Sequence, residues 1–548
     1  MQRLAPQIRP RQMQQLIVAA LSLSVAWFVI STIHWPLVGD ASLMHYVAFL
    51  MDHHRVPYRE IADMNFPASY LPDWTVEHLF GTSALSWRLY DLGLLGLAVA
   101  AMAVIARPSG WFPAAWAGCL FALIHGRDGL NQVGQRDLTA GVLLLTGTAW
   151  LLWGTRRPEA TRQRTDKGEA HKERIWPAGL FGACAGLAAM IKPTLAPFLL
   201  LVLSDLRPGQ RIDPAHRRRI ALAFSCWLLP ICMCLLWLRI NGGLSAFWYD
   251  VTILDPYHRS LGYASLHDMV RNGLSPITPI LIVWLTVLVL HRLRKNPPSA
   301  QASLPNPQAP SERRTLLFAV LLGAASYLVQ WKGYPYHRYP LLLFLLPLIA
   351  IDLTNALATA TGALQALAAG ILLWAGLGLG PSSALKASRY DWRNEEFRLT
   401  LQSDLQQAAR SLNQTSLYGK VQCLDTISGC INTLYDMQLA QASDVLYDEF
   451  LFHPSGTRAV DDARATFWTA MQANPPLVFI VSDPLFPTGP NHYAKLAQWP
   501  EFSRWLDRDY ELEVERHPSQ QQHWVGQPII PLGYRLYIRR TALSQINP

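Results

Sequence analysis

The stretch Gly39–Tyr70, "GDASLMHYVAFLMDHHRVPYREIADMNFPASY", decides how the chain is read. It follows an apolar run at residues 15–38, "QLIVAALSLSVAWFVISTIHWPLV", which is long enough to cross a bilayer. Asp40, Asp52, His53, His54, Arg55, Arg59, Glu60 and Asp63 then crowd into a short span at its exit. Leu43, Val47, Leu50 and Met51 fall at i, i+4, i+7 and i+8, one apolar face of a helix. The pattern predicts a short helix lying in the membrane interface and ended by Val56-Pro57-Tyr58. Asp40, beside Gly39, suits an N-cap or a reactive carboxylate at the positive end of that helix. One residue can do both. His53 and His54 are adjacent, so on a helix they point about 100° apart and make a poor pair of metal ligands.

The rest of the chain reads as a polytopic membrane protein. Of 548 residues, 51% are hydrophobic and 16% charged, against about 25% charged in soluble domains. The net charge of +9 does not point to nucleic acid, because the basic residues cluster in short loops between apolar runs. About eleven runs are candidate spans: 14–36, 88–106, 111–126, 138–154, 176–191, 193–205, 220–240, 274–291, 315–331, 339–353 and 356–380. The pair at 176–205 hinges on Lys192-Pro193 and also reads as one broken pair. The basic N-terminus "MQRLAPQIRPRQ" with the first run reads as an uncleaved signal anchor. Loops 155–175, 206–219 and 291–314 are rich in Arg and Lys, which places them and the N-terminus in the cytoplasm. Loops 37–87, 127–137, 241–273 and 332–338, the turn at Lys192 and the tail then fall outside. The linker 296–311 is Pro- and Ser-rich and reads as disordered.

Two domains are therefore expected: residues 1–380, a transmembrane part with an outward loop at 37–87, and residues 381–548, a small soluble α/β domain. The tail mixes a helical pattern, "NEEFRLTLQSDLQQAARSL", with strand-like runs "PLVFIVSD", "YELEVERH" and "YRLYIRR". Of seven Cys, five lie in apolar runs, where Cys behaves as a small hydrophobe. Cys423 and Cys430 lie in the tail, and an exterior location favours a disulfide between them.

The exterior loops carry the chemistry. "WKGYPYHRYP" at 331–340 offers Lys332, Tyr334, Tyr336, His337 and Arg338. An aromatic belt with snorkelling cations is one explanation. The other is a phosphate site on a Pro-stiffened backbone. The segment 250–268 adds Asp255, Tyr257, His258 and Arg259, and 126–137 adds Arg127, Arg136 and Asp137. Lys192 sits between "GLAAMI" and "PTLAPFLLL", where a lone cation needs a cavity or the interface. With the acids gathered in the first loop, these groups predict an outward cavity that holds an anionic headgroup on cations opposite one or two carboxylates. No P-loop and no H-E-x-x-H is present, so a substrate must arrive already activated.

A first span ending in Gly39-Asp40 and followed by "VPYREIADMNFPASYL" resembles the first exterior loop of the GT-C superfamily, polytopic glycosyltransferases that use polyprenyl-phosphate sugars. The protein-mannosyltransferase-like and lipid A aminoarabinose transferase-like group is the most similar, matched by Pro57, Tyr58, Arg59, Asp63, Pro67 and Tyr70. "MIKPT" resembles the Lys-Pro turn of many such proteins. The resemblance implies that Asp40 accepts the proton of an acceptor hydroxyl or orients it. Many relatives carry Asp-Glu at this point, whereas Ala41 follows Asp40 here, so Asp63 is the candidate second acid. Lys192, Lys332, His337, Arg338 and Arg259 would hold the donor phosphate. Tyr58, Arg59, Tyr334, Tyr336 and His258 would line the sugar and acceptor pocket. The acceptor would be a glycan, lipid or protein, transfer would invert the anomeric centre, and the location would be a bacterial inner (plasma) membrane. No organic cofactor is implied, no metal ligands are assigned, and a divalent ion stays open. Two other classes compete: a flippase of lipid-linked saccharides, which would show repeated halves and mid-membrane charges, and an outer-face polysaccharide polymerase or ligase.

Overall fold

A computed structural model describes residues 10–156, 174–204, 206, 213–293, 310–360, 362–389, 393–426, 428–487, 493–517 and 533–544. The linker at 296–309 and most of the basic loops at 157–173 and 207–212 lie outside the described residues.

Each of the eleven apolar runs lies mainly on one helical stretch, with 274–291 and 356–380 crossing a break near their starts. In chain order these are Pro10–Thr32, Ala84–Ala106, Trp111–Asp128, Arg136–Thr155, Trp176–Ile191, the 3-10 helix Pro193–Leu203, Pro214–Ile240, Thr278–Leu293, Pro310–Gln330, Tyr339–Thr359 and a final stretch from Ala363 to Ala387. Among the described residues, six helical stretches are long and apolar enough to cross a membrane by length and composition. Leu266–Leu274 with Thr278–Leu293, bent by 82°, makes a seventh if counted as one span. The remainder are shorter or carry charge at one end, as Glu312, Arg313 and Arg314 do at the start of Pro310–Gln330. Lys192 does break the pair at 176–205, since its backbone is extended between the two helices.

The chain divides into two compact units. The first comprises 1–35, 88–234 and 264–389 and is helical. Its helices come very close where glycine allows: a Cβ on Gly182 would stand 2.0 Å from the Ala223 carbonyl oxygen, and one on Gly186 2.2 Å from that of Trp227. Small residues at such points let apolar helices gain packing contacts that lipid cannot supply.

The second unit comprises 36–87, 235–263 and 390–548. The tail expected as a separate domain from residue 381 thus shares its unit with the first exterior loop and with a segment from mid-chain. The reason is a set of long-range bonds. Ala62 N donates to Asp444 O at 2.9 Å, and Ala62 pairs with Val445 in a parallel bridge. A four-stranded sheet lies in the tail, with β1 (Val421–Leu424), β2 (Val478–Ser482), β3 (Tyr510–Arg516) and β4 (Tyr534–Arg539) in the order β1-β2-β4-β3. β1 and β2 are parallel, and the other pairs are antiparallel. β2 is buried along its whole length, as a continuous apolar run in a central strand requires. β3 is an edge strand that carries Glu511, Glu513 and Glu515, charges that discourage further pairing. Phe452, Phe467, Phe479, Trp499 and Phe502 pack the core beside the sheet. The helix expected from "NEEFRLTLQSDLQQAARSL" runs over Arg393–Ser411. Cys423 and Cys430 are disulfide-bonded, their Cα atoms 6.1 Å apart.

One buried cation closes this core. Lys495 is fully buried and donates to Asp448, the Leu424 carbonyl, Ser482 Oγ and the Pro484 carbonyl. Removing one partner of a buried pair leaves an uncompensated charge, which costs about 3–5 kcal/mol. Lys495→Met should therefore lower the thermal midpoint of the purified protein, and Lys495→Met with Asp448→Asn should recover part of the loss. A single variant that melts with the parent would contradict this account.

Candidate functional site

Gly39 sits at φ 62°, ψ −140°, a conformation that glycine adopts without strain. That turn delivers Asp40 as the first residue of the helix Asp40–Asp52. The cap position is therefore Gly39, which has no side chain to offer, and Asp40 is not the N-cap. Its half-buried carboxylate instead complements the positive end of the helix. The helix does not lie in an interface with one face bare. Ala41, Ser42, Met44, His45, Tyr46, Val47, Ala48, Phe49 and Leu50 are all buried, so protein covers the helix nearly all round. At its far end His53 Nδ1 bonds the Phe49 carbonyl at 2.9 Å and closes the last turn.

Two short helices of the same unit clamp it. On Leu71–Phe80, Asp73 Oδ1 stands 2.7 Å from His45 Nδ1. Burial works to discharge His45, but the hydrogen bond and charge of Asp73 prevail, and its pKa is raised. On Cys430–Asp436, Tyr435 donates to Glu77 at 2.8 Å, and its ring lies 5.6 Å from that of His45. Burial pushes Glu77 up to about 7.

Asp63 has a different environment from Asp40. It is fully buried and accepts from Tyr447 Oη at 2.6 Å, Tyr70 Oη at 2.8 Å and Asn65 Nδ2 at 2.8 Å. Tyr58 is buried, donates to the Asn65 carbonyl and packs against Phe247. Arg59 is exposed, paired with Glu60 at 2.8 Å and bonded to the Asn241 carbonyl. His258 bonds Glu449 at 2.8 Å, and Arg259 pairs with Asp255 at 2.6 Å, both in this second unit. Arg259 belongs to the second unit, and the other expected phosphate ligands, Lys192, Lys332, His337 and Arg338, belong to the first.

In that first unit Lys192, Tyr334, Tyr336 and His337 come together. Lys192 Nζ lies 5.9 Å from the Tyr336 ring centre and pairs with buried Asp137. The Tyr336 and His337 rings meet edge to face at 4.6 Å, and Tyr334 stacks on Tyr336 at 5.6 Å. Lys332 and His337 are buried. Arg338 points elsewhere: both oxygens of Asp128 accept from its Nη2 at 2.7 Å, and Nη1 donates to the carbonyls of Asn272 and Ser275. It ties the bent helix pair to the helix Trp111–Asp128. Sequence reasoning left Asp128 unassigned, and it named Asp137 without the pairing to Lys192. It also passed over Asp91, which accepts from Arg88, His125 and the Gly134 amide inside the first unit. Two charges within the apolar run 88–106 were the available signal.

No family model matches the chain, and no curated protein matches it. Among solved structures it is similar to ArnT from Cupriavidus metallidurans bound to undecaprenyl phosphate, at TM-score 0.58 and 12% identity over 96% of this chain and 99% of that one. The apo state of the same protein matches at 0.55 and 13% identity, covering 96% and 98%. An Archaeoglobus fulgidus oligosaccharyltransferase tethered with an acceptor peptide matches at 0.49 and 10%, covering 96% and 76%. At such identities the likeness is one of fold. The chain shares the fold of ArnT over nearly its whole length.

Asp250, near Asp63, supplies a test of these surroundings. It is 5% exposed, and its Oδ2 has no hydrogen-bond partner among the described residues. Burial, and then the charge of Asp63, push its carboxyl up to about 8. An unfolded Asp titrates near ~3.9. Between these values the folded chain holds a proton that the unfolded chain has released, so stability falls as pH rises from about 4 to about 8. Asp250→Asn should raise the melting midpoint at pH 8–9 and change it little near pH 4. Equal shifts at both pH values would contradict the assignment.

Proposed function

We propose that the protein is an integral-membrane glycosyltransferase that moves a sugar from a polyprenyl-phosphate donor to an acceptor hydroxyl on the extracytoplasmic face, with inversion. The observation that carries this reading is the placement of Asp40. A glycine turn after the first apolar helix sets one carboxylate at the start of an otherwise enclosed helix, in a chain with the fold of ArnT from end to end. The ArnT structure bound to undecaprenyl phosphate suggests the class of donor.

In this reading the acceptor oxygen forms a bond to the anomeric carbon as the bond from that carbon to the phosphate oxygen breaks. Polyprenyl phosphate leaves with the electron pair, and the acceptor proton passes to Asp40. Lys192, Lys332 and His337 stabilise the phosphate, where negative charge grows in the transition state. Tyr336 lies against Lys192, Tyr334 stacks on Tyr336, and the pair fits a sugar-binding role. The Nη groups of Arg338 are taken by Asp128 and by the carbonyls of Asn272 and Ser275, and Asp63 by three side-chain donors, so in this reading they shape their loops rather than bind substrate. The proposal keeps about eleven membrane crossings, a cytoplasmic N-terminus, an exterior tail and a bacterial inner membrane. The crossings follow from the apolar runs, the two orientations from the distribution of Arg and Lys among the loops, and the bacterial inner membrane from the use of a polyprenyl-phosphate donor.

The test uses purified full-length protein with undecaprenyl-phosphate mannose, arabinose and aminoarabinose, scored by release of undecaprenyl phosphate. At least one donor should turn over, and Asp40→Asn should abolish turnover while undecaprenyl phosphate still binds. Normal turnover by Asp40→Asn would refute the role given to Asp40. Lys192→Gln and Lys332→Gln should each weaken binding of undecaprenyl phosphate by roughly 10-fold, the scale of one charge-assisted hydrogen bond. Unchanged affinity in both would return these residues to an interfacial belt.

A further inference from the structure

The tail contributes a device that acts on Asp40. Asn432, on the helix Cys430–Asp436, is 2% exposed, and its Nδ2 donates to the Leu37 carbonyl at 2.7 Å. Leu37 precedes Asp40 by three residues, and the turn at Gly39 lies between them. Asn432 Oδ1 is buried without a hydrogen-bond partner among the described residues. A buried amide that leaves its oxygen unsatisfied is costly, so a bond to Leu37 is what this side chain is placed to make.

The helix that carries Asn432 is itself pinned on several sides. Its first residue, Cys430, is joined by the disulfide to Cys423 in β1. Within the loop so closed, the Asp425 carboxylate accepts from the amides of Ser428, Gly429 and Cys430 at 2.9–3.0 Å. At the other end Asp436 pairs with Arg398 of the helix Arg393–Ser411. From the preceding residue Tyr435 reaches Glu77. A second contact locks the helix Asp40–Asp52: Tyr46 Oη, fully buried, donates to the Leu439 carbonyl and accepts from the Gln441 amide at 2.9 Å. The turn that leads into the helix presenting Asp40 and the middle of that helix are therefore both bonded to one short stretch of the tail, 430–441, and that stretch is fastened to the sheet by a covalent bond.

We propose that the disulfide-stapled helix Cys430–Asp436 is a positioning element for the transfer reaction, with Asn432 fixing through the Leu37 carbonyl where the Asp40 carboxylate stands. The inference rests on Asp40 acting as the base. A misplacement of about 1 Å at a reacting group can cost on the order of 10²-fold in rate, so a distant bond that sets a turn can govern kcat without touching substrate.

The experiment uses full-length protein and whichever of the three undecaprenyl-phosphate sugars is turned over. Asn432→Ala should lower kcat by roughly 10-fold or more, with KM for the donor and affinity for undecaprenyl phosphate within about 2-fold of the parent. The double variant Cys423→Ala with Cys430→Ala, which frees the helix from β1, should show the same split. If Asn432→Ala fails to fold, Asn432→Leu keeps the volume without the donor and takes its place. Parental kcat in a folded position-432 variant overturns the proposal, and so does a loss that appears in KM and binding instead. The two readings fail separately. Asp40→Asn inactive with Asn432→Ala at the parental rate sinks only the positioning role, whereas an active Asp40→Asn sinks the assignment of the base on which it depends.

Discussion

The second unit is organised by three consecutive buried side chains, Tyr447, Asp448 and Glu449. Each is 5% exposed or less, and each holds a different part of the chain. Tyr447 donates to Asp63 of the first exterior loop, Asp448 pairs with Lys495 of the tail, and Glu449 accepts from His258 of the mid-chain segment. Buried charges persist only when paired and hydrogen-bonded. Three such demands placed side by side on one strand of backbone leave few ways to assemble the unit. The adjacent backbone adds to the constraint through the bridge of Ala62 to Val445.

This constraint explains what was legible in the sequence. Helices and strands are local, and their periodicities were present to be read. The eleven apolar runs fall on helices, and three strand-like runs of the tail became β2, β3 and β4. Domain membership is not local. The change of texture near residue 381 marks where apolar spans stop, but the tail joins 36–87 and 235–263 through pairs such as Asp63 with Tyr447, separated by 384 residues. No pattern in either segment announces such a partner. The interfacial helix failed for the same reason. A helix with one conspicuous apolar stripe can still be covered on its other faces, here by His45, Tyr46 and their partners.

The candidate site was legible as a set of residue types and much less as a set of partners. Lys192, Tyr334, Tyr336 and His337 were named from two loops and are neighbours. Arg338 was named from the same loop, yet its guanidinium is taken by Asp128, 210 residues earlier. A cation beside a cluster in sequence can still be bonded elsewhere, because neighbouring residues of a tight turn face different surroundings.

The two carboxylates of the first loop are sorted by those same surroundings. Asp63 matches the family-like stretch, but three donors fill it and burial removes it from solvent. Its charge instead acts on Asp250, whose carboxyl is pushed up first by burial and then by a second anion beside it. Asp40 stands at the positive end of a helix dipole, half-buried, on a backbone turn that only glycine forms readily. A proton acceptor needs a carboxylate whose oxygens can meet a hydroxyl in a defined place. Placement of this kind comes from the backbone and from what holds it, and here the holding groups lie in the tail, almost four hundred residues further along the chain.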